Sequence, residues 1–399
     1  MKSRPSDSRW TSSNHLTFDR VKQAHLCSHS TGDFTIHSLR LTVHDSRSML
    51  QASYHPYLLS FKEPATTSRE VMVQKKCWFV KVWETRQPAV FGVGECALFP
   101  GLSAEDRPEY ENRLARACRE INEFQPETLQ EWSSICFGIE TALADLQNGG
   151  QRLLFPSPFT RGEKTIPING LVWMGDRETM ERRVEEKITA GFRCLKLKIG
   201  SLDFQQELAL LRQIRTRFKR DALEIRVDAN GAFRPEEALR KLEQLSSHDI
   251  HSIEQPIRQG QWQAMSRLCR NSPIPIALDE ELIGITSKEQ KRALLEEIAP
   301  RYIILKPTLV GGFYGCDEWI SLIQHSPVAW WATSALESNI GLNAIAQWTA
   351  TQENPIPQGL GTGQLFTNNI PSPLTQEGST LGYNPKRPWN VGVLFSITD

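Results

Sequence analysis

Three carboxylates and three lysines have the types and spacing to do chemistry together. Asp228, Glu254 and Asp279 each end a short apolar run, in Ile225-Arg-Val-Asp228, Ser252-Ile-Glu254 and Ala277-Leu-Asp279, and stand 26 and 25 residues apart. Lys306 ends Ile303-Ile-Leu-Lys306 another 27 residues on. Upstream, in Cys194-Leu-Lys-Leu-Lys-Ile-Gly200, strand alternation puts Lys196 and Lys198 on one face. Converging carboxylates repel one another unless a cation neutralises them. An all-oxygen donor set suits Mg2+ or Mn2+ rather than zinc. A lysine that is buried beside a second ammonium loses its proton more readily and becomes a usable general base. Together these groups suit the removal of a weakly acidic proton beside a carboxylate, while a cation stabilises the charge that develops. Each residue alone has a plainer reading. Lys196 and Lys198 fit a solvated strand face, a single Asp fits a helix cap, and Lys306 fits an exposed loop entry. Three acids in register between the lysines favour the site.

The elements that position these groups follow from the rhythm of the chain. Strand candidates are 166–173, 194–199, 223–227, 251–254, 274–278, 302–305, 328–332 and a short one near Gly359. Amphipathic stretches separate most of them, which is the period of an α/β barrel and places the acids at its C-terminal rim. A doubly wound open sheet is the alternative. Before this, residues 49–155 read as an α+β domain: strands at 52–61, 71–73, 78–83 and 89–93, then helices over 105–124 and 127–147. Gly92-Val-Gly94-Glu-Cys-Ala97 nominally fits a dinucleotide fingerprint, but Phe99-Pro-Gly101 follows where a helix should open, so that reading is rejected. The barrel is expected over 156–365, and 366–399 to pack back on the first domain. Residues 1–48 are rich in Ser, Thr, Arg and His and lack periodicity; they read as a disordered extension, or as residues preceding a true start at Met49.

Composition narrows the class. Of 399 residues, Lys+Arg and Asp+Glu number 46 each, which gives no basic surface for nucleic acid. No run is long enough for a membrane span, and no signal-peptide core is evident at the N-terminus. Eight scattered cysteines without a C-x-x-C pair read as reduced packing residues, pointing to the cytoplasm. The oligomeric state is not legible.

Lys196-Leu-Lys198, Asp228, Glu254, Asp279 and Lys306 together resemble the enolase superfamily, in its muconate-lactonizing-enzyme-like subgroup. Lysine bases with Mg2+ are the established pairing there, so resemblance and chemistry are not independent lines. The resemblance covers 49–399 and implies a modified TIM barrel of (β/α)7β type with an N-terminal α+β capping domain. It implies Mg2+ (Mn2+ possible) held by Asp228, Glu254 and Asp279, with Lys198 and Lys306 as opposed catalytic lysines. The stretches 92–103, 226–231, 333–341 and 357–362 are most similar to the o-succinylbenzoate synthase family. That family dehydrates 2-succinyl-6-hydroxy-2,4-cyclohexadiene-1-carboxylate to 2-succinylbenzoate in menaquinone biosynthesis. By that resemblance Lys198 takes the α-proton and then helps hydroxide leave, and Lys306 holds the intermediate from the opposite face. Thr333, Ser334 and Gly359 would contact the small carboxylate substrate, and the 62–69 loop would close over it. Lys196 would lower the Lys198 pKa or meet the substrate carboxylate. Arg226 and Asn230 would orient ligands or substrate, or serve a structural ion pair. N-acylamino-acid racemases, dipeptide epimerases and muconate-type cycloisomerases need the same lysines and metal. Dipeptide epimerases carry Asp-x-Asp at the last strand, where this chain has Gly359-Leu-Gly-Thr-Gly363. A non-catalytic binding protein on the same barrel is the reading from another class.

Overall fold

The computed structural model describes residues 49–66, 71–200 and 203–395. The segment 1–48 and the tip of the expected lid, 67–70, lie outside the described residues. The first sheet is antiparallel, in the order β1 (Leu50–Thr66), β2 (Val71–Glu84), β3 (Phe91–Cys96). Its strands are rich in aromatic and β-branched residues, which fit a pleated, packed surface. Strand alternation serves two cores at once. Trp78, Val80 and Val82 pack with helices α1 (Tyr110–Arg119) and α2 (Ser133–Gln147), while Cys77 and Phe79 join the barrel-side core. The sheet is therefore buried on both faces along its middle.

Two details of this sheet depart from the sequence reading. The expected loop at 62–69 begins later, because β1 continues through Thr66 with a register shift between Ser60 and Ala65. That irregularity accommodates Pro64, which has no N–H for the ladder. The segments 71–73 and 78–83 are one strand, β2. Glycines 92 and 94 have a packing role: an added Cβ would fall 1.9 Å from the Ala142 carbonyl oxygen and 1.8 Å from that of Gly138. β3 lies almost on the backbone of α2.

The remaining elements alternate: β4 (Ile166–Pro167), β5 (Gly170–Val172), α3 (Arg177–Thr189), β6 (Cys194–Lys198), α4 (Phe204–Arg217), β7 (Glu224–Asp228), α5 (Pro235–Ser246), β8 (Ser252–Glu254), α6 (Trp262–Asn271), β9 (Ile276–Leu278), α7 (Lys288–Ile298), β10 (Tyr302–Leu305), α8 (Gly312–Ile323), β11 (Ala329–Ala332) and α9 (Asn339–Thr351). Strands β5 to β11 form one parallel curled sheet in sequential order, so the α/β barrel expectation holds and the open doubly wound sheet does not. β5, β9, β10 and β11 read as continuous apolar runs because helices cover one face and the barrel interior the other, whereas β6, β7 and β8 carry the polar groups of the site. Capping side chains fix helix starts: Asp176 accepts from the Thr179 N–H, and Ser287 with Gln290 forms a capping box.

The expected strand 166–173 is split. β4 pairs with β13 (Thr380–Tyr383), itself paired with β12 (Leu374–Glu377), whereas β5 belongs to the barrel sheet. The expected last strand near Gly359 is reduced to two parallel bridges, Gln358 with Ile168 and Gly359 with Thr333. These join the two ends of the curled sheet. Beyond 365, Phe366 bridges Phe61, and its ring lies 4.6 Å from that of Phe61. The seven described cysteines are free thiols. Among the described residues, no helix is long and apolar enough to cross a membrane.

Candidate active site

Parallel pairing sets the site by register. Lys198 on β6 stands beside Asp228 on β7, which stands beside Glu254 on β8. Asp279 immediately follows β9, and Lys306 immediately follows β10. All five lie at the C-terminal ends of adjacent barrel strands, with the acids between the two lysines.

The groups interlock. Lys196 Nζ donates to Asp228 Oδ2 at 3.0 Å and to both oxygens of Glu254 at 2.9 Å. Lys198 Nζ donates at 2.6 Å to Asp228 Oδ2 and to Asn230 Oδ1. Lys306 Nζ donates to Asp279 Oδ2. Asn230 passes the network on, since its Nδ2 donates to Glu280 Oε1 at 2.9 Å. Lys196, Asp228, Glu254, Asp279, Glu280 and Lys306 are all buried. Burial opposes charging of Lys196, but Asp228, Glu254 and Asp279 outweigh it and raise its pKa. Burial likewise works against Lys306, yet Asp279 and Glu254 raise it. Burial pushes the Asp228 carboxyl up, but Lys196 and Lys198 pull it well below its usual range. Glu254 goes the other way, raised by burial and by the charge of Asp228 beside it.

Above these groups lies a cavity of about 730 Å³, part of it open to solvent. Its floor carries Lys196, Lys198, Lys306, Asn230 and Glu280, and Thr333, Ser334 and Gly359 stand on its wall. Apolar sides come from Phe99 and Leu102, just after β3, and from Leu171, Trp173 and Leu309 of the barrel. Thr333 Oγ1 and Asn169 Oδ1 are buried at this wall without a hydrogen-bond partner. Arg226 goes elsewhere. Its Nε donates to Glu224 Oε1 at 2.7 Å, its Nη1 to the Pro357 carbonyl at 2.8 Å, and its guanidinium lies 4.3 Å from the Trp331 ring. It is not among the cavity residues.

Sequence reasoning passed over Glu280, Asn169 and Gln255. Gln255 has φ of 41°, and its Oε1 accepts from the backbone N–H of Asp279 and of Glu281 at 3.1 and 3.2 Å. It thereby fixes how Asp279 leaves β9. The only signals were adjacencies: Glu280 follows Asp279, and Gln255 follows Glu254.

Among the described residues, no group of three or more His, Cys, Asp or Glu side chains is gathered closely enough to hold a metal ion. The lysine ammonium groups instead take up the oxygens of Asp228, Glu254 and Asp279. The donor chemistry still fits a hard divalent cation. Four buried carboxyl groups, at 228, 254, 279 and 280, face three lysines, and three of the four follow one another on adjacent strand ends.

A curled parallel sheet, lysines and acids at its C-terminal strand ends, and a mouth completed by Phe99 and Leu102 just after an antiparallel sheet define an enolase-type barrel enzyme. The chain belongs to the Enolase C-terminal domain-like family, which matches residues 179–379. It is 46% identical to an o-succinylbenzoate synthase of Desulfotalea psychrophila over 84% of this chain and 99% of the relative. The crystal structure of MenC from Desulfotalea psychrophila LSv54 superposes with a TM-score of 0.74 at 44% identity, covering 84% of this chain and 99% of that one. A dipeptide epimerase from Enterococcus faecalis, complexed with Mg and the dipeptide L-Leu-L-Tyr, shares the fold at 17% identity. Its TM-score is 0.72, over 85% of this chain and 97% of that one. Enzymes of this superfamily generally use a divalent metal ion.

Proposed function

We propose that this chain is an o-succinylbenzoate synthase that dehydrates 2-succinyl-6-hydroxy-2,4-cyclohexadiene-1-carboxylate in menaquinone biosynthesis, in the cytoplasm. The observation that carries the reading is the 46% identity extending over 99% of a synthase of that name. Asp228, Glu254 and Asp279 would hold a divalent cation, Mg2+ or Mn2+. When bound, such an ion supplies electrostatic stabilisation for the charge that develops on the substrate carboxylate.

The chain's own groups do the rest. Lys198, as the neutral amine, takes the proton from the carbon that bears the carboxylate. The resulting ammonium returns that proton to the departing hydroxide, so the C–O bond breaks and water leaves. The ring becomes aromatic, which makes this second step downhill. Lys306, on the strand four places along the sheet, stays protonated and stabilises negative charge from the other side. Its buried pairing with Asp279 supports that role. The burial of Lys196 between Asp228 and Glu254 supports a fixed cation there rather than a second base. Asn230 would hold Lys198 toward the cavity, and Thr333, Ser334 and Gly359 would line the substrate.

N-acylamino-acid racemisation is the second reading, because a lysine on each side is what a two-base racemase requires. Dipeptide epimerisation is disfavoured: Gly359, Gly361 and Thr362 line the cavity where an ammonium would need an acid. The test compares kcat/KM for the cyclohexadiene, followed by loss of its ultraviolet absorbance, with α-proton exchange of N-acylamino acids and dipeptides in heavy water. The synthase reading expects the cyclohexadiene to be preferred by at least about a hundredfold, or about 2.7 kcal/mol of transition-state discrimination. Preference for an N-acylamino acid would overturn it.

A further inference from the structure

Lys75 is a lysine of β2 that the reaction scheme does not use. It lies on the strand face shared with Cys77 and Phe79, turned toward the barrel, and is 1% exposed. Its Nζ donates to two main-chain carbonyls at the far end of the chain, Ala335 at 2.7 Å and Leu336 at 3.0 Å. Both residues, with Thr333 and Ser334, form one wall of the cavity. Leu336 is held at φ of 63°, a left-handed conformation that a leucine rarely adopts without restraint. Phe99, another cavity residue, has its ring centroid 5.5 Å from the same ammonium.

The anchoring extends one residue pair further. Glu95 on β3 accepts from the Ser338 N–H at 2.9 Å and from the Gly341 N–H at 3.0 Å, at the start of α9. Burial lowers the Lys75 pKa, while Glu337 and Glu95 hold it up. A buried ammonium carries a large desolvation cost, so a methionine of similar length would pack there with less penalty. What the ammonium adds is a two-point grip on a strained turn.

We propose that Lys75 is a positioning residue: it holds the 333–336 wall in its substrate-binding shape from the opposite side of the mouth. The proposal rests on the functional reading above for its kinetic arm only. Because that wall carries no ionisable group, its displacement should weaken binding and leave proton transfer alone. The test uses full-length Lys75→Met, Lys75→Arg and the double variant Lys75→Met with Glu337→Gln, which removes one carboxylate left facing the missing charge. Two readouts are taken: steady-state turnover of the cyclohexadiene, and hydrogen exchange followed by mass spectrometry. Expected for Lys75→Met is a KM raised about tenfold with kcat within about threefold, and faster exchange confined to peptides spanning 333–338. Lys75→Arg should recover part of both. Unchanged exchange at 333–338 would overturn the proposal. So would loss of kcat with exchange raised throughout the chain, or failure of both methionine variants to fold, since each marks a merely structural lysine. Should the wild-type chain not turn over the cyclohexadiene, the functional reading falls, and the exchange result alone decides the role of Lys75.

Discussion

Lys198 and Lys306 differ in what surrounds their nitrogens, and the roles proposed for them follow that difference. Lys198 is held by one carboxylate and one neutral amide, Asp228 and Asn230, and it faces the cavity. Lys306 is buried against Asp279, with Glu254 adding to its positive character. Replacing Lys306 by Ala should therefore reduce kcat by at least about a hundredfold through lost charge stabilisation. α-Proton exchange should fall alongside it, because exchange passes through the same negative charge, and parallel turnover and exchange assays would reveal this. Gln255 offers a second test. Gln255→Leu removes the acceptor that orients the backbone at Asp279, and activity titrated with Mg2+ should show an affinity loss of roughly tenfold or more. An unchanged Mg2+ midpoint would sever Gln255 from the metal site. At this scale the sequence was informative where chemistry met periodicity. Lys196, Lys198, Asp228, Glu254 and Asp279 stood out because alternation or spacing put them in register. Gln255, Glu280 and Lys75 did not, because a single polar residue entering a core leaves no period. For Arg226 the strand face was legible and an ion pair was one of the two expectations, but its particular partners, Glu224 and the Pro357 carbonyl, were not.

Elements meet at a few close or charged contacts, and these govern stability. Glu140 of α2 accepts from the N–H groups of Phe313 and Tyr314 at the start of α8. Burial raises its pKa to about 8 from the ordinary 4.5. Between those values the native state binds a proton that the unfolded chain has lost, so stability should fall as pH rises through this window. Thermal melts from about pH 5 to about pH 9 should show that decline, with a flatter profile for Glu140→Gln. An identical slope in the variant would remove Glu140 as its source. Gly94→Ala should destabilise by several kcal/mol, because its Cβ would meet the Gly138 backbone and neither element can retreat. Urea unfolding would measure it. The helices and barrel strands were legible from apolar runs and caps. The extension of β1 past Lys62 was not, because Lys62-Glu-Pro64 reads as a turn and only pairing to β2 makes it strand. The break between β4 and β5 was hidden for the same reason: β13, far along the chain, claims Ile166 and Pro167.

On the scale of the whole molecule, the mouth of the barrel is completed by distant parts of one chain. Phe99 and Leu102 come from the segment after β3, Lys198 from β6, and Gly359 from the bridge that joins the ends of the curled sheet. The match to the Desulfotalea psychrophila synthase takes in 99% of that relative but 84% of this chain. The most direct test of the account is turnover of the cyclohexadiene by the Mg2+-loaded protein, run beside Lys198→Ala and a chelated sample. Expected are rapid loss of absorbance with the wild-type chain, turnover at least about a thousandfold slower for the variant, and turnover abolished in the chelated sample until Mg2+ is added back. Undiminished turnover by folded Lys198→Ala, or by the metal-free protein, would contradict it.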